Sequence, residues 1–148
     1  MAEHHFHLTA EWPGGRNSVG IIDAGNLKTK VSIPPEMDGP GIGTNPDEML
    51  LGAASTCYII TLAAMLERSS IETRSLSLES EAVVEVIRGV NTFKRIVHRP
   101  FIVLPSESSK ELVEKVQKLA EKAESSCMIS KAVMGNVELA LEVKITCD

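Results

Sequence analysis

Apolar and polar residues alternate near both ends of the chain and recur at steps of three and four in two stretches between them. Phe6, Leu8, Ala10 and Trp12 alternate with His5, His7, Thr9 and Glu11, a period of two that predicts a strand broken by Pro13-Gly14-Gly15. Val19 to Ile22 and Leu27 to Ile33 are short β-prone segments, with Asp23-Ala24-Gly25-Asn26 as a hairpin turn between them. Pro34 to Gly43 is rich in proline and glycine and reads as a flexible connection.

A helix follows. Asn45 is a good N-cap, Pro46 suits the first helical position, and Glu48 falls three residues after the cap. Met49, Leu50, Ala53, Ala54, Cys57, Ile60, Thr61, Ala64 and Met65 then step at three and four, placing Cys57 inside the stripe; Glu67-Arg68-Ser69-Ser70 ends it. Two longer strands are expected at Leu76 to Ile87 and Thr92 to Leu104, with Gly89-Val90-Asn91 as the turn. Ser108 with Glu111 forms a capping-box pattern for a second helix, whose inner face carries Leu112, Val113, Val116, Leu119, Ala120 and Ala123. Cys127 lies just beyond it, a turn closes at Gly135-Asn136, and Val137, Leu139, Leu141, Val143 and Ile145 alternate with polar residues in a last strand. The order β-β-β-α-β-β-α-β, without an internal repeat or a linker, predicts one α+β domain over residues 1–148.

Composition narrows the functional classes. The chain has 148 residues, 43% of them apolar, and 15 basic against 20 acidic side chains give a formal charge of −5. That length sustains a core without staples, and an acidic balance with no basic patch argues against a nucleic-acid partner. Met49 to Leu66 carries no charge and reaches the lower edge of a membrane-spanning length, but Gly52, Ser55, Thr56, Cys57 and Thr61 interrupt it, so a buried core helix and no membrane association are expected. The start, Met-Ala-Glu-His-His, lacks the regions of a signal peptide, and the expected location is cytoplasmic. Three cysteines at long spacings form no disulfide framework, and without a Cys-x-x-Cys pair neither zinc nor another metal is expected, the His4, His5, His7 cluster included.

Candidate chemistry then centres on sulfur. A nucleophilic cysteine must be a thiolate, and burial in an apolar helix opposes that; a mid-helix position also gains nothing from the helix dipole. A reactive Cys57 therefore calls for a cation, and Arg16, on the glycine-rich turn Gly14-Gly15-Arg16, is the candidate. A carboxylate at the start of the helix, Asp47 or Glu48, would hold the guanidinium.

Three segments carry a family likeness. Asn45-Pro46-Asp47-Glu48-Met49-Leu50-Leu51-Gly52-Ala53-Ala54-Ser55-Thr56-Cys57-Tyr58 resembles the helix motif of the OsmC/Ohr family, the osmotically induced and organic hydroperoxide resistance proteins. Ala123-Glu124-Ser125-Ser126-Cys127-Met128-Ile129-Ser130, with Gly135-Asn136-Val137, is similar to its second cysteine motif, and Trp12-Pro13-Gly14-Gly15-Arg16 to its arginine turn. The resemblance implies a thiol-dependent peroxidase acting on organic hydroperoxides. Cys57 attacks the peroxide, Cys127 closes a disulfide with it, and Arg16 and Asp47 assist. It further implies an intertwined homodimer, with antiparallel sheets wrapped around two central helices, and no bound cofactor; the reductant is an external dithiol or lipoylated protein. The family's carboxylate is usually Glu, so Asp47 is one methylene shorter, with Glu48 as the other option. The alternative on the same fold is a non-catalytic protein that senses oxidation or binds a small hydrophobic ligand. Cys147 has no part in either.

Overall fold

The longest helix begins where its cap is written. In the computed structural model, which describes residues 1–148, Asn45 Oδ1 accepts from the Glu48 N–H at 2.9 Å and α1 runs Pro46–Arg68. Glu48 does not return to the Asn45 amide as a capping box would; its carboxylate accepts from the Thr44 hydroxyl at 2.8 Å. Ser70, at φ 54, ends the helix in a left-handed turn, where the Ile71 N–H reaches back to Leu66 O at 3.0 Å.

The chain divides into two compact units, Met1–Met49 and Leu50–Asp148. In the first, β1 (Thr9–Glu11), β2 (Gly20–Ala24) and β3 (Leu27–Val31) form an antiparallel sheet in chain order. The alternating run that starts at Phe6 pairs only over its last part, and β1 is wholly exposed at the sheet edge. Trp12 folds over Gly20, where an added Cβ would come within 2.6 Å of the indole, so the close approach needs glycine. The segment expected to be flexible is structured: Pro35–Met37 makes a 3₁₀ turn, and Ser32 exchanges two hydrogen bonds with Ile42, 2.7 and 2.8 Å.

The second unit holds β4 (Ser75–Ile87), β5 (Val90–Leu104), α2 (Lys110–Ser126), α3 (Met128–Val133), β6 (Glu138–Leu141) and β7 (Lys144–Cys147). β4 and β5 form a long antiparallel hairpin whose turn is Arg88-Gly89, φ 51 and 79, starting one residue earlier than the sequence suggests. Two positive φ angles match the right-handed twist of the strands, which is why the ladder closes there. Even-numbered residues of β5 from Ile96 to Leu104 are buried, and with Tyr58, Leu62, Met65 and Leu66 of α1 and Val116, Ala120 and Ala123 of α2 they build the core. Burying each large apolar side chain there contributes about 1.5–3 kcal/mol. α2 is capped by Ser109, whose hydroxyl accepts from the Leu112 N–H at 3.1 Å, one residue later than expected; Ser108 instead bonds Pro105 O.

Two expectations are corrected here. The C-terminal strand is split in two, and both halves run parallel to β5, so the sheet of the second unit is mixed rather than antiparallel. The reversal follows from the connection: α2 and α3 carry the chain back across the sheet, as parallel neighbours require. The split has a local cause. Both halves keep one register against β5, which sets Glu142-Val143 opposite Arg99-Pro100, where proline has no N–H for the ladder. Arg99 spans the gap through Glu142, Nε to Oε2 2.6 Å, and also holds Glu81 of β4 at 3.2 Å. The result is an α+β fold with three helices.

α1 is long and apolar enough to span a membrane by length and composition alone. One stripe of it is in the core just described, while Gly52, Thr56, Ile60 and Ala63 form an uncovered face, with Ile60 66% exposed.

Candidate active site

Cys57 precedes the buried Tyr58 on α1 and is itself half-buried at the flank of the core stripe. Cys127 is fully buried at the junction of α2 and α3, where its extended backbone, φ −65 and ψ 127, interrupts the helical run. α3 starts immediately afterwards, and its first intrahelical bond runs from the Lys131 N–H to Cys127 O at 3.0 Å. The amides of Met128, Ile129 and Ser130 therefore have no helical acceptor. The sulfurs take that place. Met128 and Ile129 N–H face Cys57, and Ser130 and Ile129 N–H face Cys127. Ile129 and Val133 of α3 pack with Leu51 and Ala54 of α1, Ile96 of β5 and Val137, which keeps the amides against α1.

These contacts make the two thiols unequal. Burial pushes the Cys57 thiol up, but hydrogen bonds from Cys127, from Ile129 and Met128 N–H and from the Thr61 hydroxyl together hold it below the ordinary thiol range. Burial pushes the Cys127 thiol up, and so does donating to Cys57; Ser130 and Ile129 N–H offset this only in part, leaving it raised. Cys57 is the more acidic thiol of the pair and Cys127 the less acidic. No disulfide joins them in this structure. The donors that lower Cys57 are uncharged, and Arg16, the cation that the sequence offers, lies in the first unit.

Arg16 is exposed in the first unit. The Trp12 indole N–H closes its turn on Gly15 O at 2.9 Å. The guanidinium donates to Met37 O at 2.7 Å, Asp38 O at 3.1 Å and Asn17 Oδ1 at 2.8 Å. The expected pairing with Asp47 or Glu48 is not formed. The carbonyls at the end of the 3₁₀ turn are free and attract the guanidinium, while Glu48 is engaged by Thr44. Asp47 is half-buried, without an ion pair. Cys147 ends β7 and is exposed.

Beside the α2–α3 junction lies a cavity of about 290 Å³, lined by Glu124, Ser125, Ser130, Met134, Val137 and Leu139. No three His, Cys, Asp or Glu side chains converge to hold a metal. Sequence reasoning missed the α3 amides and Thr61. Thr61 was visible as the residue one turn beyond Cys57; the amides were not, because a helix starting at Cys127 has no cap signature.

The chain has relatives among known proteins. Residues 39–142 match the model of the family described as OsmC-like protein. The chain is 63% identical over 145 residues to the uncharacterized protein YmaD of Bacillus subtilis, covering 98% of this chain and 97% of that one. It is 29% identical over 139 residues to an organic hydroperoxide resistance protein of Xanthomonas axonopodis, covering 91% and 90%. Among solved structures, an organic hydroperoxide resistance protein OsmC of Legionella pneumophila superimposes with a TM-score of 0.77 at 25% identity, over 97% of this chain and 99% of that one. OhrB of Bacillus subtilis does so with a TM-score of 0.68 at 26% identity, over 95% and 98%. With the matched segment spanning well over half of its length, the chain belongs to the OsmC-like protein family.

Proposed function

We propose that this protein is a cysteine-based peroxidase that reduces organic hydroperoxides. The observation that carries the reading is the polarity of the thiol pair, a lowered Cys57 hydrogen-bonded by a raised Cys127. Relatives named for organic hydroperoxide resistance support the substrate class. The Cys57 thiolate attacks the terminal oxygen of the hydroperoxide; the S–O bond forms as the O–O bond breaks, and the alkoxide leaves and takes a proton from water. Cys127, with its sulfur already directed at Cys57, then attacks the resulting sulfenic acid. A disulfide forms and the hydroxyl leaves as water with the Cys127 proton. An external dithiol reduces the disulfide and is itself oxidised. Cys57 is the better leaving group, because the lower thiol departs faster.

Arg16 is assigned to the leaving oxygen on the strength of its turn motif, and Asp47 as a carboxylate of the same machinery on the strength of the helix motif. The homodimer belongs to the same reading, supported by the uncovered apolar face of α1. The test is steady-state consumption of cumene or tert-butyl hydroperoxide with a dithiol reductant, with mass spectrometry after one equivalent of peroxide. Turnover and a Cys57–Cys127 disulfide are expected. No turnover with either substrate, and no oxidised Cys57, would overturn the reading.

A further inference from the structure

Of the five buried side-chain polar atoms that make no hydrogen bond, two line one cavity: Glu124 Oε1 and Ser130 Oγ. It is the cavity of about 290 Å³ beside the α2–α3 junction, and neither Cys57 nor Cys127 lines it. Ser130 is 3% exposed, and its hydroxyl makes no hydrogen bond, the neighbouring Cys127 sulfur included. The Ser125 hydroxyl is already spent on Lys122 O at 3.1 Å. Met134, Val137 and Leu139 supply an apolar wall. A carboxylate oxygen and a hydroxyl withdrawn from water without a partner are costly, and a ligand that bonds both removes that cost.

Electrostatics select the charge of that ligand. Glu124 sits in the last turn of α2, where the helix carbonyls already carry partial negative charge, and that turn holds no basic residue. Lys131 lines the cavity but is exposed and forms no ion pair. Both unpaired oxygens can accept, and the carboxylate can only accept. An ammonium head donates to the two at once, whereas an alcohol has a single proton to give. We propose that this cavity binds a small primary amine, its ammonium donating to Glu124 Oε1 and Ser130 Oγ and its apolar body packed on Met134, Val137 and Leu139. A water-sized unit takes about 30 Å³, so the cavity suits a molecule of about ten non-hydrogen atoms. The site stands apart from the peroxidase reading and does not depend on it.

Three compounds of one shape and different charge test it. The full chain, labelled with nitrogen-15, is titrated at neutral pH with 2-phenylethylamine, 2-phenylethanol and phenylacetate while its amide signals are followed. The amine should shift the amides of Ser130, Met134 and Leu139 saturably, the alcohol should bind about tenfold more weakly, and phenylacetate should not bind. Glu124→Gln keeps the shape of the side chain without its charge; it should weaken the amine about tenfold and leave the alcohol little changed. Four results each overturn the proposal: no saturable shift with the amine, which leaves the cavity to water; shifts confined to another part of the chain; an alcohol that binds as tightly as the amine; or an amine that binds Glu124→Gln as it binds wild type. Should Glu124→Gln fail to fold, the three compounds on the wild-type chain decide the matter alone.

Discussion

Tyr58 and His98 lie face to face, their ring centroids 5.0 Å apart and their planes 18° from parallel. Both are fully buried. The Tyr58 hydroxyl donates to Ala120 O on α2 at 2.9 Å, and His98 Nδ1 shares a 2.7 Å hydrogen bond with the hydroxyl of Ser80, its ladder partner on β4. The residue that follows Cys57 is thus tied to the second helix and the central strand at once. This fixes the rotation of α1 about its axis and, with it, the direction of the thiol.

Removing the hydroxyl while keeping the ring separates the two ties. Tyr58→Phe should cost about 1 kcal/mol of stability, the net value of one hydrogen bond, whereas Tyr58→Ala should cost about 3–5 kcal/mol through the cavity it leaves. Urea unfolding of the two variants checks the order. Equal losses would mean that the stack adds nothing to the packing.

Burial holds the His98 imidazole below its ordinary range, so the folded chain keeps it neutral. Below about pH 6.5 the unfolded chain binds a proton that the folded one refuses, and stability falls as the pH falls. Above that pH the group contributes no slope. Urea midpoints measured from about pH 7.5 down to 5 should decline, and His98→Gln should flatten that decline while lowering stability throughout. An unchanged slope in the variant would assign it to other groups.

Cys57→Ser should abolish hydroperoxide reduction with the fold intact, since the swap is nearly isosteric. Cys127→Ser should react once and stop at sulfenic acid, or climb to sulfinic acid, for want of a resolving thiol. Dimedone should label Cys57 in that variant after one equivalent of peroxide; consumption with Cys57 neither labelled nor found as sulfinic acid would rule out the assigned roles. Cys147→Ser should leave turnover unchanged.

Arg16→Ala should slow hydroperoxide attack by about a hundredfold, the usual cost of losing one donor to a developing oxyanion. The Cys57 alkylation profile should largely keep its wild-type position, because the donors that lower that thiol are Cys127, the α3 amides and Thr61. Arg16→Lys should recover only part of the rate. Turnover equal to wild type in Arg16→Ala would reduce Arg16 to a turn residue that binds the Met37 and Asp38 carbonyls.

Local signals were legible wherever one residue does one job. Asn45 and Pro46 marked the start of α1, the alternating residues of β5 showed its buried face, and the motifs around Cys57 and Cys127 marked two residues that the fold brings into contact. Strand direction was not legible, since alternation at Val137 to Ile145 reads the same for either polarity and only the α2–α3 crossover decides it. Nor was the break at Glu142-Val143, whose cause, Pro100, lies on another strand. The uncharged donors to Cys57 were not legible for a related reason. Amides left free by a helix start act on a residue about seventy positions away, and no spacing rule connects the two.

The cap of α3 has a consequence of its own. Its first amides face the sulfur of Cys57, whose strength as an acceptor depends on its oxidation state. Oxidation that neutralises Cys57 weakens the acceptor and leaves a six-residue helix without a competent cap, too short to hold by its own backbone bonds. The chemical state of one atom is thereby transcribed into the local order of the segment from Met128 to Val133. Amide hydrogen exchange over that segment should run faster in the oxidised protein than in the reduced one, giving any partner that inspects this surface a means to tell spent from ready molecules.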